Sequence, residues 1–362
     1  MSTEITRRRL STIAGGMVAL SASSLRARNA LAALPSFTAV EWGGHYIEAA
    51  KELAKEWNKA SIDWVLYTNG AASLLPKISA QWPHVEYNLV ESFDPVFDVM
   101  IRQGWLETIT IEDVPNLIQV PPGLIKKDAA GNWKTAPVSL SGCFFGYRKD
   151  TCPVAIHSIE DLLNPKLRGQ ICWPSPVQND NLQMVALALY GGGGEHNMEP
   201  GWAFMRKLAK TGNIGVIADT GPAFVNAMTT GQTSVGFFDA GAWNNIAKHF
   251  PCQLLTKVPD QPGLKCFLLT EGWCVLKGSE HKNAILDFVN FTLSAPMNQR
   301  FNDIVGNPPV NVHAVPAKDV GYMTFTEPEL KEYCYQPDWS YLSTRMDSWS
   351  RRFETEIIPL MR

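Results

Sequence analysis

The chain has 362 residues, 45% of them hydrophobic and 19% charged, with a formal net charge of −3. That length suits two ordinary domains and the apolar share supplies a substantial core, so a disordered chain is excluded. The charge balance carries no clustered basic excess, so a nucleic-acid partner is not expected. The 12 Trp are many for this length and suit a pocket that stacks on organic molecules as well as a packed core.

Residues 1–33 read as an export signal. Thr6-Arg7-Arg8-Arg9-Leu10-Ser11 precedes a weakly apolar run from Thr12 to Leu25, and Ala30-Leu31-Ala32-Ala33 offers small residues at signal-peptidase spacing. The paired arginines before so mild a run resemble a twin-arginine signal. No later segment approaches the roughly 18 continuous apolar residues of a membrane span, so a soluble mature chain in the periplasm is expected.

After Pro35 short β-like runs alternate with amphipathic ones. Phe37–Trp42 reads as a strand that Gly43-Gly44 ends. Ile47, Ala50, Leu53, Ala54 and Trp57 fall at helical spacing. Asp63–Tyr67 is a strand, Leu74, Leu75, Ile78 and Trp82 mark a helix, Tyr87–Val90 is a strand, and a helix covers about 95–103. The middle of the chain continues in the same way. Cys143–Tyr147 is a strand, and Ser158 is an N-cap before acidic first-turn residues. Leu182–Leu189 is a helix stopped by Gly191–Gly194. Helices follow at Trp202–Lys210 and Phe224–Met228, then a strand at Ser234–Phe238, a helix at Lys282–Leu293, and a helical, aromatic-rich tail. This alternation predicts open, mostly parallel α/β sheets.

Catalytic motifs are missing: no Gly-x-Ser-x-Gly elbow, no His-Glu-x-x-His, no phosphate loop and no dinucleotide fingerprint. Seven cysteines at 143, 152, 172, 252, 266, 274 and 334 form no Cys-x-x-Cys pair. Their odd number leaves at least one thiol unpaired, and their spacing leaves open whether any others join. Binding without a cofactor or metal is therefore the expectation, and a secreted enzyme is the alternative from another class.

Four segments, in order, resemble the extracellular solute-binding proteins of ABC importers, within them the spermidine/putrescine-binding branch. They are Glu41-Trp42-Gly43-Gly44-His45-Tyr46; Phe145–Asp150 with Ser158–Ile171; Val275–Ala284 with Phe288–Phe291; and Gly306-Asn307-Pro308-Pro309-Val310-Asn311. The resemblance implies a periplasmic binding-protein fold: two α/β lobes joined by two or three crossover strands, closing by a hinge on a small molecule. The crossovers are expected near 140–147 and 266–276, with a further crossing near Val312. Lobe 1 then comprises 35–141 plus 267–311, and lobe 2 comprises 142–266 plus 312–362. A monomer that delivers its ligand to an ABC permease in the cytoplasmic membrane is implied.

Open α/β sheets bind ligands beyond the carboxyl ends of their strands. Trp42 with Gly43 and Gly44 ends the first strand, where the branch packs an aromatic on its ligand. Ser92, Phe93 and Asp94 end the third strand. Asp180 stands near the family's acidic ligand contact or caps the helix after it, Asp239 ends an apolar strand, and Glu271 falls within a residue of a family aspartate that pairs with an amine. Asn307 aligns near a family tyrosine. Two of the aromatic walls of the polyamine pattern are replaced by Asp239 and Leu269. One Trp, one Phe and several acids favour a smaller organic cation or amine. Trp243 and Trp273 are either further walls or core residues. A ferric-iron binder would need clustered tyrosines, and Tyr333 and Tyr335 lie in the tail, away from the expected ligand loops.

Overall fold

The computed structural model describes residues 34–67, 71–176 and 178–361, so the expected export signal lies outside the described residues. Strand β1 (Ser36–Trp42) sends Phe37 and Ala39 into one core and Val40 into the core on the opposite face. Its period-2 alternation thus reads apolar on both sides. Gly44, at φ 67°, turns the chain into α1 (His45–Trp57), which packs Ala49, Ala50, Leu53 and Trp57 on the first core. Strand β2 (Ser61–Tyr67), helix α2 (Ala71–Gln81), strand β3 (Leu89–Phe93) and helix α3 (Asp94–Arg102) repeat the unit. Both β2 and β3 lie parallel to β1.

Strand β4 (Ala136–Arg148) is buried along all 13 residues. After it come β5 (Ile171–Pro174), α4 (Leu182–Tyr190), α5 (Glu199–Thr211), β6 (Ile214–Ala218), α6 (Gly221–Thr229), β7 (Val235–Asp239), α7 (Ala240–Ala247) and the short β8 (Cys252–Leu254). The second long strand, β9 (Cys266–Val275), leads to α8 (Lys282–Thr292) and α9 (Ala295–Val305). The tail holds α10 (Glu327–Tyr333), β10 (Cys334–Tyr335), α11 (Trp339–Leu342) and α12 (Met346–Arg352).

The strand order is β2-β1-β3-β9-β4-β7-β5-β6, with β10 on β9 and β8 on β4. At the two ends the strands are parallel. In the middle β4 and β9 run antiparallel to each other and to the strands flanking them. A strand that leaves one lobe and a strand that returns to it have opposite directions, so the joined sheet is mixed. The β1–β3 group is covered by α1, α8 and α9 on one face and by α2 and α3 on the other; the β5–β7 group is covered by α4 and α5 on one face and by α6 and α7 on the other. This is a two-domain α/β periplasmic-binding-protein fold.

One local reading changes and one open choice is decided. The helix expected after Ser158 is a 3-10 turn, Ile159–Leu163, because Pro165 drives Asn164 to ψ 126° and ends it. Trp243 and Trp273 are fully buried core residues and not walls of a pocket. All seven cysteines are free thiols.

Candidate functional site

A cavity of about 540 Å³ opens where β1, β3 and β7 end and β4 and β9 cross. Six of the expected residues line it: Trp42, Phe93, Asp180, Asp239, Glu271 and Asn307. Trp42 is held by Tyr67 and Phe93, with ring centroids 4.6 and 5.8 Å away. Packed from behind, its indole forms a fixed apolar wall.

Glu271 enters from β9. Its Oε2 accepts hydrogen bonds from the Tyr46 hydroxyl at 2.8 Å and from Asn307 Nδ2 at 3.1 Å; Asn307 Nδ2 also lies 3.0 Å from the Tyr46 oxygen. Burial raises the Glu271 carboxyl to about 7, against the pull of Tyr46. Across the cavity Asp239 caps α7, its Oδ1 accepting from the Ala242 N–H at 2.9 Å. Burial raises it too, opposed by these backbone N–H groups. Asp180 stands just before α4 at φ 50°, between Asn179 and Asn181, both also in the left-handed region. Burial raises its carboxyl to about 6, and among the described residues nothing offsets that rise.

The other four expected residues stand back from the cavity. Ser92 is buried and accepts from the Tyr67 hydroxyl at 3.1 Å. Asp94 accepts from the Thr270 N–H at 2.9 Å and pairs with Lys126 at 3.4 Å, which ties α3 to β9. An acid with a partner cation and a backbone donor has a structural task already. Gly43 and Gly44 make the turn that carries Tyr46 into the site.

Sequence reasoning missed Tyr46, Ser141, Cys143, Gln178 and Asn179 among the lining residues. Ser139, Ser141 and Cys143 alternate along β4, and that period-2 polar stripe on a crossover strand was a usable signal. Also missed was a buried acidic row beneath Glu271. The β1–β3 register, Val40 against Val90, sets Glu41 beside Glu91 on one sheet face. Both are fully buried. Among the described residues no N–H or O–H donor reaches either Glu91 oxygen or Glu41 Oε2, so a proton on one carboxyl makes the bond between them. Desolvation raises Glu41 to about 8 and drives Glu91 well above the carboxylate range.

The cavity thus offers carboxylates, side-chain amides, hydroxyls and a Trp face, with no Lys, Arg or His among the described residues that line it. Among the described residues no cluster of His, Cys, Asp and Glu suits a metal ion, and no helix is long and apolar enough to cross a membrane.

Comparisons with known proteins agree on one architecture. A solute-binding protein from Bordetella parapertussis, described as a putative extracellular one, is 17% identical, covers 89% of this chain and 98% of its own, and superposes with a TM-score of 0.73. An ABC transporter protein from Clostridium perfringens is 17% identical over 90% of this chain and 100% of its own, at 0.71. The spermidine/putrescine ABC transporter substrate-binding protein PotD from Streptococcus pneumoniae is 14% identical over 87% of this chain and 99% of its own, at 0.68. A search of curated proteins finds no match. The family described as bacterial extracellular solute-binding protein matches residues 47–324. The chain belongs to that family, the non-catalytic extracellular or periplasmic component that binds a small molecule for an ABC transporter's permease.

Proposed function

We propose that the solute is a small organic cation, an amine or ammonium compound, captured between the lobes. The observation that carries this reading is the lining itself: Asp180, Asp239 and Glu271 converge on one cavity that contains no basic side chain. A carboxylate enclosed away from water needs a compensating cation or must take up a proton. All three are raised by burial, and a cationic guest would lower them again. Trp42 supplies a cation–π face for the same guest. A long polyamine fits less well, because Leu269 and Asp239 stand where that branch has aromatic walls. The lining holds one tyrosine, Tyr46, which is poor provision for ferric iron.

Residues 35–141 with 267–311 act as one lobe and the remainder of the mature chain as the other. The chain works as a monomer, exported behind the paired arginines of residues 1–33. A thermal-shift screen of primary amines, diamines, quaternary ammonium compounds, carboxylates, sugars and metal ions tests the ligand class. A guest at a hundred times its Kd stabilises by about 2.7 kcal/mol, a readable rise in Tm. If only anions or sugars raise Tm, the cation reading fails and the transport assignment stands. Export is tested by replacing Arg7 and Arg8 with lysine: precursor should accumulate in the cytoplasm, and normal periplasmic levels would exclude the twin-arginine route.

A further inference from the structure

A hydrogen bond joins the two walls of the cleft beside the cavity. Helix α9 packs on α1, whereas α7 packs on α6 and β7, so the two helices belong to opposite walls. Asn244, on α7, donates from Nδ2 to the carbonyl of Gly306 at 3.1 Å. Its Oδ1 accepts from the Tyr322 hydroxyl, which fixes which edge of the amide points across the gap. Tyr322 is itself held: its carbonyl accepts from Thr256 Oγ1, and its ring meets Phe144 edge-on at 5.6 Å.

The acceptor side is equally fixed. Gly306 ends α9 in the left-handed region at φ 87°, its N–H donating to Asn302. Asn302 donates to Val138 on β4 at 2.9 Å. Asn307, the next residue, carries the bonds to Tyr46 and Glu271. One turn therefore presents a carbonyl to the opposite lobe and an amide to the cavity.

We infer that Asn244 is a latch between the lobes, oriented by Tyr322 and engaging Gly306, so that closure and the alignment of Asn307 on the capture site occur together. It is a positioning residue: it does not line the cavity. A single exchangeable hydrogen bond biases an open–closed equilibrium without locking it, which a binding protein that must later release its cargo requires. The inference rests on the cavity being the capture site, yet it can be tested with no ligand present, so a failed latch and a failed cation reading are told apart.

Spin labels on ketone-bearing residues at the exposed positions Lys55 and Lys248 leave the cysteines untouched and report the distance between α1 and the end of α7. Near about pH 5.5, ligand-free wild type should show a short-distance population. Asn244→Ala should shift the closed-to-open ratio toward open about five- to tenfold, the size of one hydrogen bond. Asn244→Asp keeps the acceptor for Tyr322 but sets a carboxylate against the Gly306 carbonyl, and should shift the ratio at least as far. Tyr322→Phe should give a smaller shift in the same direction. Tm separates this from simple damage, since a merely structural residue would lower Tm without changing the distances. A wild type with no short population, or a short population that both Asn244 variants leave intact, overturns the latch.

Discussion

Glu41 and Glu91 occupy neighbouring parallel strands with no cation opposite them among the described residues, and the groups that face them are Glu271, Tyr46, Tyr67 and Cys274. The sign of their effect on stability follows from linkage. Folded-state values lie above those of the unfolded chain, Glu41 moving from 4.5 to about 8 and Glu271 from 4.5 to about 7. Between those limits the folded state holds more protons than the unfolded one, so stability falls as pH rises. Ligand-free protein should therefore melt at a higher temperature near about pH 5.5 than near about pH 8.5. Glu41→Gln gives Glu91 an amide donor, removes one titrating group and should flatten this slope. A Tm that climbs with pH across the window would mean the row is ionised and paired in a way the structure does not contain.

The same scale decides the cavity. Asp239→Asn keeps a good N-cap for α7 while removing the charge, and Glu271→Gln keeps an acceptor for Tyr46 and Asn307. Each should weaken binding of a cationic guest by about 1.5–3 kcal/mol without lowering the Tm of the empty protein. Isothermal titration with the amine selected by the thermal screen measures this. Wild-type affinity in both variants would place the capture site elsewhere.

At the scale of elements, β4 and β9 carry the joint between lobes, and their close approach depends on glycine. A Cβ on Gly272 would stand 2.4 Å from the Ala136 carbonyl oxygen and 2.7 Å from Pro137 Cα. Backbone cannot yield as a flexible side chain does, so Gly272→Ala should cost about 1–3 kcal/mol of stability. Gly43→Ala, where an added Cβ meets nothing within 4 Å, is the near-neutral control. Denaturant titration of both variants gives the comparison, and equal midpoints would show that the crossover tolerates separation.

These strands also show where the sequence was readable. The helices at 45–57, 94–102 and 282–292 were legible because each has one apolar face, and the helix at 182–190, buried nearly all round, because a continuous apolar run ends at Gly191. The crossover at 136–148 was read as a strand only in its second half, because burial on every residue leaves no exposed face to mark, and the small polar residues Ser139 and Ser141 read as a loop unless their period-2 spacing is followed. The rule that open α/β sheets bind ligands beyond their strand ends, together with the resemblance, supplied what periodicity could not: which strand ends to choose. Of the residues so chosen, Trp42, Phe93, Asp180, Asp239, Glu271 and Asn307 line one cavity. Neither could separate them from Ser92 and Asp94, which sit on the same strand end, because only packing shows that Lys126 and Thr270 already occupy Asp94. Glu41 and Glu91 escaped notice because their meaning lies in the β1–β3 register.

At the scale of the whole molecule, capture and pH should act together. The unliganded cavity brings three carboxylates near one another with no counter-charge. Closing the lobes without a cation desolvates these acids and is opposed unless they are protonated, whereas closing on a cation neutralises them in place. Closure should then respond to two signals, occupancy and acidity. Solution scattering at about pH 8, where Glu271 at about 7 and Asp180 at about 6 are ionised, should give a larger radius of gyration for the empty protein than for the amine-bound one. Near about pH 5 the empty protein should already be more compact, and the amine should bind more weakly, because proton and cation compete for the same oxygens. The two measurements must move together. Compaction by the amine that is equally strong at both pH values, with affinity unchanged, would show that the acids of the cavity are not what the lobes close upon.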